Sequence, residues 1–125
     1  MDLTLQKPGD HLFIRAISEA GICIVDAWHK GPLILTPANL IADWTVTGLE
    51  NLNESSLAPL FDLSADVVLV GTGARQRFLS SEVMMAFYRR NIGVEVMTTR
   101  AACVTFNVLA LEERRVAAAL MPLDS

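Results

Sequence analysis

Only two cysteines occur in the 125 residues, Cys23 and Cys103, 80 positions apart and without CxxC spacing. Neighbouring thiolates of a zinc or dithiol redox motif are therefore excluded, and both cysteines are expected as reduced, buried thiols. Histidine is as scarce, with His11 and His29 alone, so a transition-metal site would need an unusual ligand set. No metal and no cofactor is expected. No apolar run approaches the roughly 18 residues that a membrane-spanning helix requires, despite a mean hydropathy of +0.39, so no transmembrane segment is expected. The opening MDLTLQKPGDH lacks a basic stretch followed by an apolar block, and a cytoplasmic location is the expectation. Clustered Lys and Arg are missing too, and a sequence pI near 5.0 argues against a general nucleic-acid binder.

What is present is apolar: hydrophobic residues make up 52% of the chain, enough for one domain over 1–125 to bury a core without disulfides or a metal. Residues 1–65 hold three basic and eight acidic side chains, a net −5, whereas 66–125 hold seven and six, a net +1. The half poorer in basic residues is punctuated by glycine and proline. Between these lie the β-rich runs 12–17, 22–28 and 32–37, with His29-Lys30-Gly31 as a hairpin tip and 43–46 as another short strand. Together they predict a small meander. Gly48 to Ser56 reads as polar loop, and Ser55-Ser56 as the cap of a short helical turn through Leu57, Leu60 and Phe61.

The second half changes period. Residues 66–70 form a β-branched run suited to a strand covered on both faces. Ser80-Ser81-Glu82 offers helix-start chemistry, and Val83, Met84, Phe87 and Tyr88 fall on one stripe of the helix that Asn91 and Gly93 stop. Residues 94–97 predict a second strand. Thr98-Thr99 caps a second helix through about Leu111, so apolar all round that it is expected between layers of the core. A last strand over 115–120 precedes Pro122. Strand, helix, strand with a crossover of this length is most simply a right-handed parallel unit. The predicted fold is α/β in three layers: a mixed central sheet, two main helices and an added N-terminal β layer.

In such a sheet the carboxyl ends of parallel strands and the helix starts share one edge. The stretch VVLVGTGARQRF, residues 67–78, then places Gly71, Thr72, Gly73, Arg75 and Arg77 beside Thr98, Thr99 and Arg100. Amides, hydroxyls and guanidiniums gathered there suit an anion or an acidic peptide. The alternative is structural: the glycines permit a positive-φ turn and the arginines are solvated. A dinucleotide fingerprint lacks its third glycine, and a Gly-Lys-Ser/Thr phosphate loop is missing, so both nucleotide motifs are rejected.

Arg100, Cys103 and Asn107 recur at one-turn spacing and can share a face. A nucleophilic Cys103 would need a base, which neither histidine is placed to supply, so a buried thiol is the simpler reading. Asn107 is expected to make a structural hydrogen bond to a neighbouring loop, and Glu95 an ion pair with Arg100 or Arg115. Trp28 and Trp44 are either lids over the core or an aromatic patch for a partner. No catalytic residue is assigned.

The segments GPLILTPANLIADW, VVLVGTGARQRF and IGVEVMTTRAACVTFNVLALEERRVAAALMP resemble a small single-domain family of unassigned biochemical function, found in bacteria and archaea. It includes the mitochondrial NADH dehydrogenase (complex I) assembly factor 3. The likeness covers roughly residues 10–122. It implies a three-layer α/β fold with a mixed sheet and an added β layer, and a role in assembling other proteins. On this resemblance the family's glycine turn falls on Gly71 and Gly73, its helix-opening threonine on Thr99 and its later asparagine on Asn107. Many relatives are acidic where this chain has Thr98 and carry glycine where it has Glu113. The resemblance implies no catalytic residues. The expected function is a non-enzymatic, protein-binding assembly factor whose partner is a respiratory-complex subunit or another assembly factor; the alternative is a small-molecule or anion binder using the strand-exit crevice.

Overall fold

The computed structural model describes residues 11–124. Five strands form a large mixed sheet in the order β5-β4-β8-β6-β7, built from Leu40–Ile41 (β5), Leu33–Leu35 (β4), Val116–Leu120 (β8), Val67–Gly71 (β6) and Gly93–Met97 (β7). β6 pairs in parallel with both β7 and β8, and β4 closes the antiparallel side against β8 and β5. Three strands, Ile14–Ser18 (β1), Gly21–Ile24 (β2) and Ala27–His29 (β3), make a separate antiparallel meander. The mixed α/β architecture with an added N-terminal β layer is thus as the sequence predicts.

Alternation along the strands divides the core. Leu33, Leu35, Leu69, Ala118 and Leu120 face one side, where helix α3 (Thr99–Leu111) and the meander cover them through Ala102, Cys103, Phe106, Ile14, Ile17 and Ile22. Ile34, Val68, Val70, Ala117 and Ala119 face the other, covered by α1 (Ala58–Phe61) through Leu60 and by α2 (Ser81–Tyr88) through Val83 and Phe87. The period of two in the strands puts every second side chain on each face. The alanines of β8 let both helical layers approach a strand that is buried on both sides.

Several local expectations are corrected. The meander turns at Val25-Asp26, not at His29-Lys30-Gly31, and Val25 takes a left-handed φ of 57° there. The run at 32–37 leaves the meander and joins the large sheet as β4. Residues 43–46 are not a strand; Trp44 is nonetheless a lid, buried and donating its indole N–H to the Ser56 carbonyl at 2.9 Å, while Trp28 on the meander is half exposed. On α2 the buried stripe is Val83, Ala86 and Phe87, whereas Met84 and Tyr88 face solvent. β7 is the edge of the large sheet, so Glu95 is exposed and unconstrained by burial, and Arg115 instead forks onto Asp66 at 3.0 and 3.1 Å. One flank of α3 is likewise uncovered.

Both main helices begin on the predicted caps. The Ser80 hydroxyl accepts from the Val83 amide and the Thr98 hydroxyl from the Ala101 amide, each at 3.2 Å, which satisfies amides that lack a partner in the first turn. At the other end of α3 the Arg114 amide reaches back to the Leu109 carbonyl at 3.0 Å, and Glu113 is held at a φ of 61°. This is the left-handed helix stop that glycine occupies without steric cost. Glu113→Gly is expected to stabilise the fold by about 0.5–1 kcal/mol, read as a raised urea midpoint with an unchanged slope.

Candidate functional site

β6 and β7 are neighbours whose following helices lie on opposite faces of the sheet. Their exits are a topological switch point, the place where α/β sheets commonly open a crevice. The chain brings the predicted glycines and Thr99 together here. The Gly73 amide donates to the Thr99 hydroxyl at 2.8 Å, and the Thr99 amide donates to the Gly73 carbonyl at 2.9 Å. The Thr99 hydroxyl in turn donates to the Met121 carbonyl at 2.7 Å, and the Met121 amide donates to the Gly71 carbonyl at 3.0 Å. One buried hydroxyl therefore ties together the exits of β6 and β8 and the start of α3.

These contacts fill the space where the crevice is expected. A Cβ on Gly71 would lie 2.9 Å from both the Cα and the hydroxyl oxygen of Thr99, and 3.1 Å from a Leu120 methyl. Gly71 is thus required for close approach, whereas Gly73, at a φ of 99°, is required for its turn. Thr72 is fully buried; its amide donates to the Met97 carbonyl at 2.9 Å, and its hydroxyl lies 2.6 Å from the Arg75 carbonyl. Of the α3 first-turn amides that could greet an anion, that of Thr99 is taken by Gly73 and that of Ala101 by its cap.

The predicted cations disperse from this point. Arg75 and Arg100 are exposed, and Arg77 turns toward Glu50 at 3.8 Å. Arg77 borders a hollow of about 360 Å³ with Phe78, Leu79, Leu49 and Leu52, on the α2 side of the sheet. A larger cavity of about 760 Å³ lies at the opposite pole, at the amino ends of β6 and β8, among Pro37, Leu63, Ala65, Leu111 and Val116. Nothing in the sequence pattern pointed to it, because it is lined by loop ends from four separate segments. His11 borders it with a buried Nε2 that has no hydrogen-bond partner among the described residues.

Asn107 and Cys103 leave the candidate site altogether. The Asn107 side chain accepts from the Ile14 amide at 2.9 Å and donates to the Ile14 carbonyl at 2.8 Å, pairing α3 with the edge of strand β1 rather than with a loop. Cys103 is fully buried in the core, and burial pushes its thiol up to about 12, with Arg100 pulling weakly the other way. The thiol is therefore held protonated at neutral pH and is not poised as a nucleophile. In the folded protein, Cys103 is expected to resist a thiol-disulfide reagent for hours at pH 7.5 and to react within minutes in denaturant; fast labelling under native conditions would contradict its burial. Among the described residues, no cluster of three His, Cys, Asp or Glu side chains is arranged to hold a metal ion. No helix of the described residues is long and apolar enough to cross a membrane.

Comparison with known proteins agrees with this architecture. The chain is 33% identical over 124 residues to the human NADH dehydrogenase [ubiquinone] 1 alpha subcomplex assembly factor 3, covering 98% of this chain and 67% of that protein. It is 34% identical over 113 residues to the mouse protein, covering 89% and 60%. It thus spans only about 60 to 67% of these relatives' length. The crystal structure of a Bordetella parapertussis protein superposes with a TM-score of 0.84 at 31% identity, covering 93% of this chain and 99% of the other. Residues 14–121, from the first meander strand to the residue that Thr99 anchors, match the family described as protein of unknown function (DUF498/DUF598), and the chain belongs to that family.

Proposed function

We propose that this chain is a non-enzymatic, cytoplasmic protein-binding factor that assists assembly of respiratory complex I through a subunit or a second assembly factor. The observation that carries the reading is the 33% identity to the human assembly factor over 98% of this chain. Two features of the structure favour binding over catalysis. The strand exits, where an α/β enzyme of this topology would place its reacting groups, are occupied by the Gly71–Thr99 contact. The buried thiol on the adjoining helix, Cys103, is held protonated by its burial. Deleting the gene from its host is expected to deplete assembled complex I on native gels, and a tagged copy is expected to retain a complex I subunit. Normal amounts of assembled complex in the deletion strain would overturn the proposal.

A small-molecule reading distinct from the strand-exit one is supported at the opposite pole, where the depression of about 760 Å³ coincides with a His11 Nε2 that has no hydrogen-bond partner among the described residues. Its lining is mostly apolar and the depression is open to solvent, so a ligand there would be a small organic molecule held on one side. A ligand there would raise the Tm by mass action and perturb the resonances of Leu111 and Val116. Small anions that instead perturb Arg75 and Arg100 would return the reading to the strand exits.

A further inference from the structure

We propose that the connection from β6 to α2 guards the free edge of the large sheet, Gln76 and Glu95 together preventing β7 from pairing with β7 of a second copy. β7 ends the strand order, so one side of it has no neighbouring strand. The Gly93 amide donates to the Asp66 carbonyl at 3.0 Å and the Met97 carbonyl accepts from the Thr72 amide at 2.9 Å, so both residues turn their backbone groups toward the ends of β6. Successive residues of a strand point their amides and carbonyls to alternate sides, which sends those of Val94 and Val96 outward. Such an edge, carrying two β-branched residues, is a template for a further strand. One of its outward groups is already taken. The Gln76 side-chain amide donates to the Val96 carbonyl at 3.0 Å.

The geometry of self-pairing gives each guard its part. In antiparallel pairing about a twofold axis, the register that uses both outward valines of each copy sets Val94 opposite Val96 of the second copy. Each such pair exchanges two hydrogen bonds, and one of the two needs the Val96 carbonyl. Gln76 holds that carbonyl in both copies and stands where the added strand would lie, so half of the new ladder is blocked. The same register puts Glu95 directly opposite Glu95 of the second copy, in a pair without hydrogen bonds, where facing side chains come closest. Glu95 is exposed, and none of the ion pairs among the described residues involves it. Two carboxylates so placed repel, which is a known defence of a sheet edge.

Sedimentation equilibrium of the whole chain at low salt, from about 10 µM to about 1 mM, reads the association, and amide exchange by NMR reads the edge. In the unsubstituted chain the Val94 and Val96 amides are expected to exchange fast at every concentration. The double variant Gln76→Ala with Glu95→Thr should associate at least about tenfold more tightly than either single variant, with both amides slowed as the dimer forms. Gln76→Ala with Glu95→Lys restores like charges and should stay monomeric. Its equimolar mixture with Gln76→Ala alone should associate at least about tenfold more tightly than either component, because the introduced ammonium then faces the native carboxylate. Both positions are exposed, so the substitutions preserve folding, which an unchanged Tm checks. A Gln76→Ala, Glu95→Thr variant that associates no more tightly than the unsubstituted chain, a dimer whose Val94 and Val96 amides still exchange fast, or a mixture no tighter than its components would overturn the proposal.

Discussion

Thr99→Val is expected to destabilise the fold by about 3 kcal/mol, roughly 10 °C in Tm, although it changes no volume and touches no exposed surface. The hydroxyl it removes accepts from the Gly73 amide and donates to the Met121 carbonyl, at 2.8 and 2.7 Å, in a position with no solvent access. Valine keeps the shape and leaves both backbone groups buried without that partner, and each such loss costs about 1–3 kcal/mol. Thr99→Ser separates the hydrogen bonds from the packing, because it keeps the hydroxyl and loses only a methyl, for about 1 kcal/mol. Urea denaturation of the three proteins decides the matter. A valine variant as stable as the serine variant would mean that the hydroxyl does not join these strands.

Gly71→Ala is expected to cost about 2–3 kcal/mol, the overpacking expense of pushing two backbone segments apart. The added Cβ would lie 2.9 Å from the Thr99 Cα, a backbone atom that cannot swing aside as the tip of a long side chain can. An open crevice would give the opposite sign, since alanine in an unstrained strand position with free space is neutral or stabilising by about 0.4–1 kcal/mol through the unfolded state. The thermal midpoint therefore discriminates by direction, not only by size. Because Gly71 and Thr99 touch, the double variant should fall short of the sum of the single losses.

Where a local rule and the tertiary environment agree, the fold is readable from the chain. The β-branched run of β6, the serine and threonine caps of α2 and α3, and the parallel pairing of β6 with β7 each follow from residue chemistry. Other features depend on neighbours that no local pattern contains. Val25 occupies a left-handed turn that a β-branched residue resists, so glycine at Gly31 drew the turn four residues too far on. Ala86 completes the buried stripe of α2, but its small side chain gives a weak apolar signal beside Met84 and Tyr88, which face water. Val104 and Val108 make α3 apolar all round, the same pattern that a helix enclosed on every side would have.

The candidate site was legible in position but not in character. Glycines, a buried threonine and a helix start converge as their spacing predicts, yet whether they border a void or seal it depends on a few tenths of an ångström between Gly71 and Thr99. Glycine serves both outcomes, giving room to a ligand's phosphate or to another backbone. The uncovered stripe on α3 escaped for the related reason that apolar residues signal burial whether or not a layer lies over them.

Amide hydrogen exchange at Gly73 and Thr99, followed by NMR, tests most directly whether the strand exits form a closed joint. Each amide donates into the joint, one to the Thr99 hydroxyl and the other to the Gly73 carbonyl. Both should exchange only through global unfolding, with protection equal to that of the Leu69 and Val70 amides in the inner strand β6. Exchange orders of magnitude faster than in that strand would contradict the closed joint and reopen the crevice.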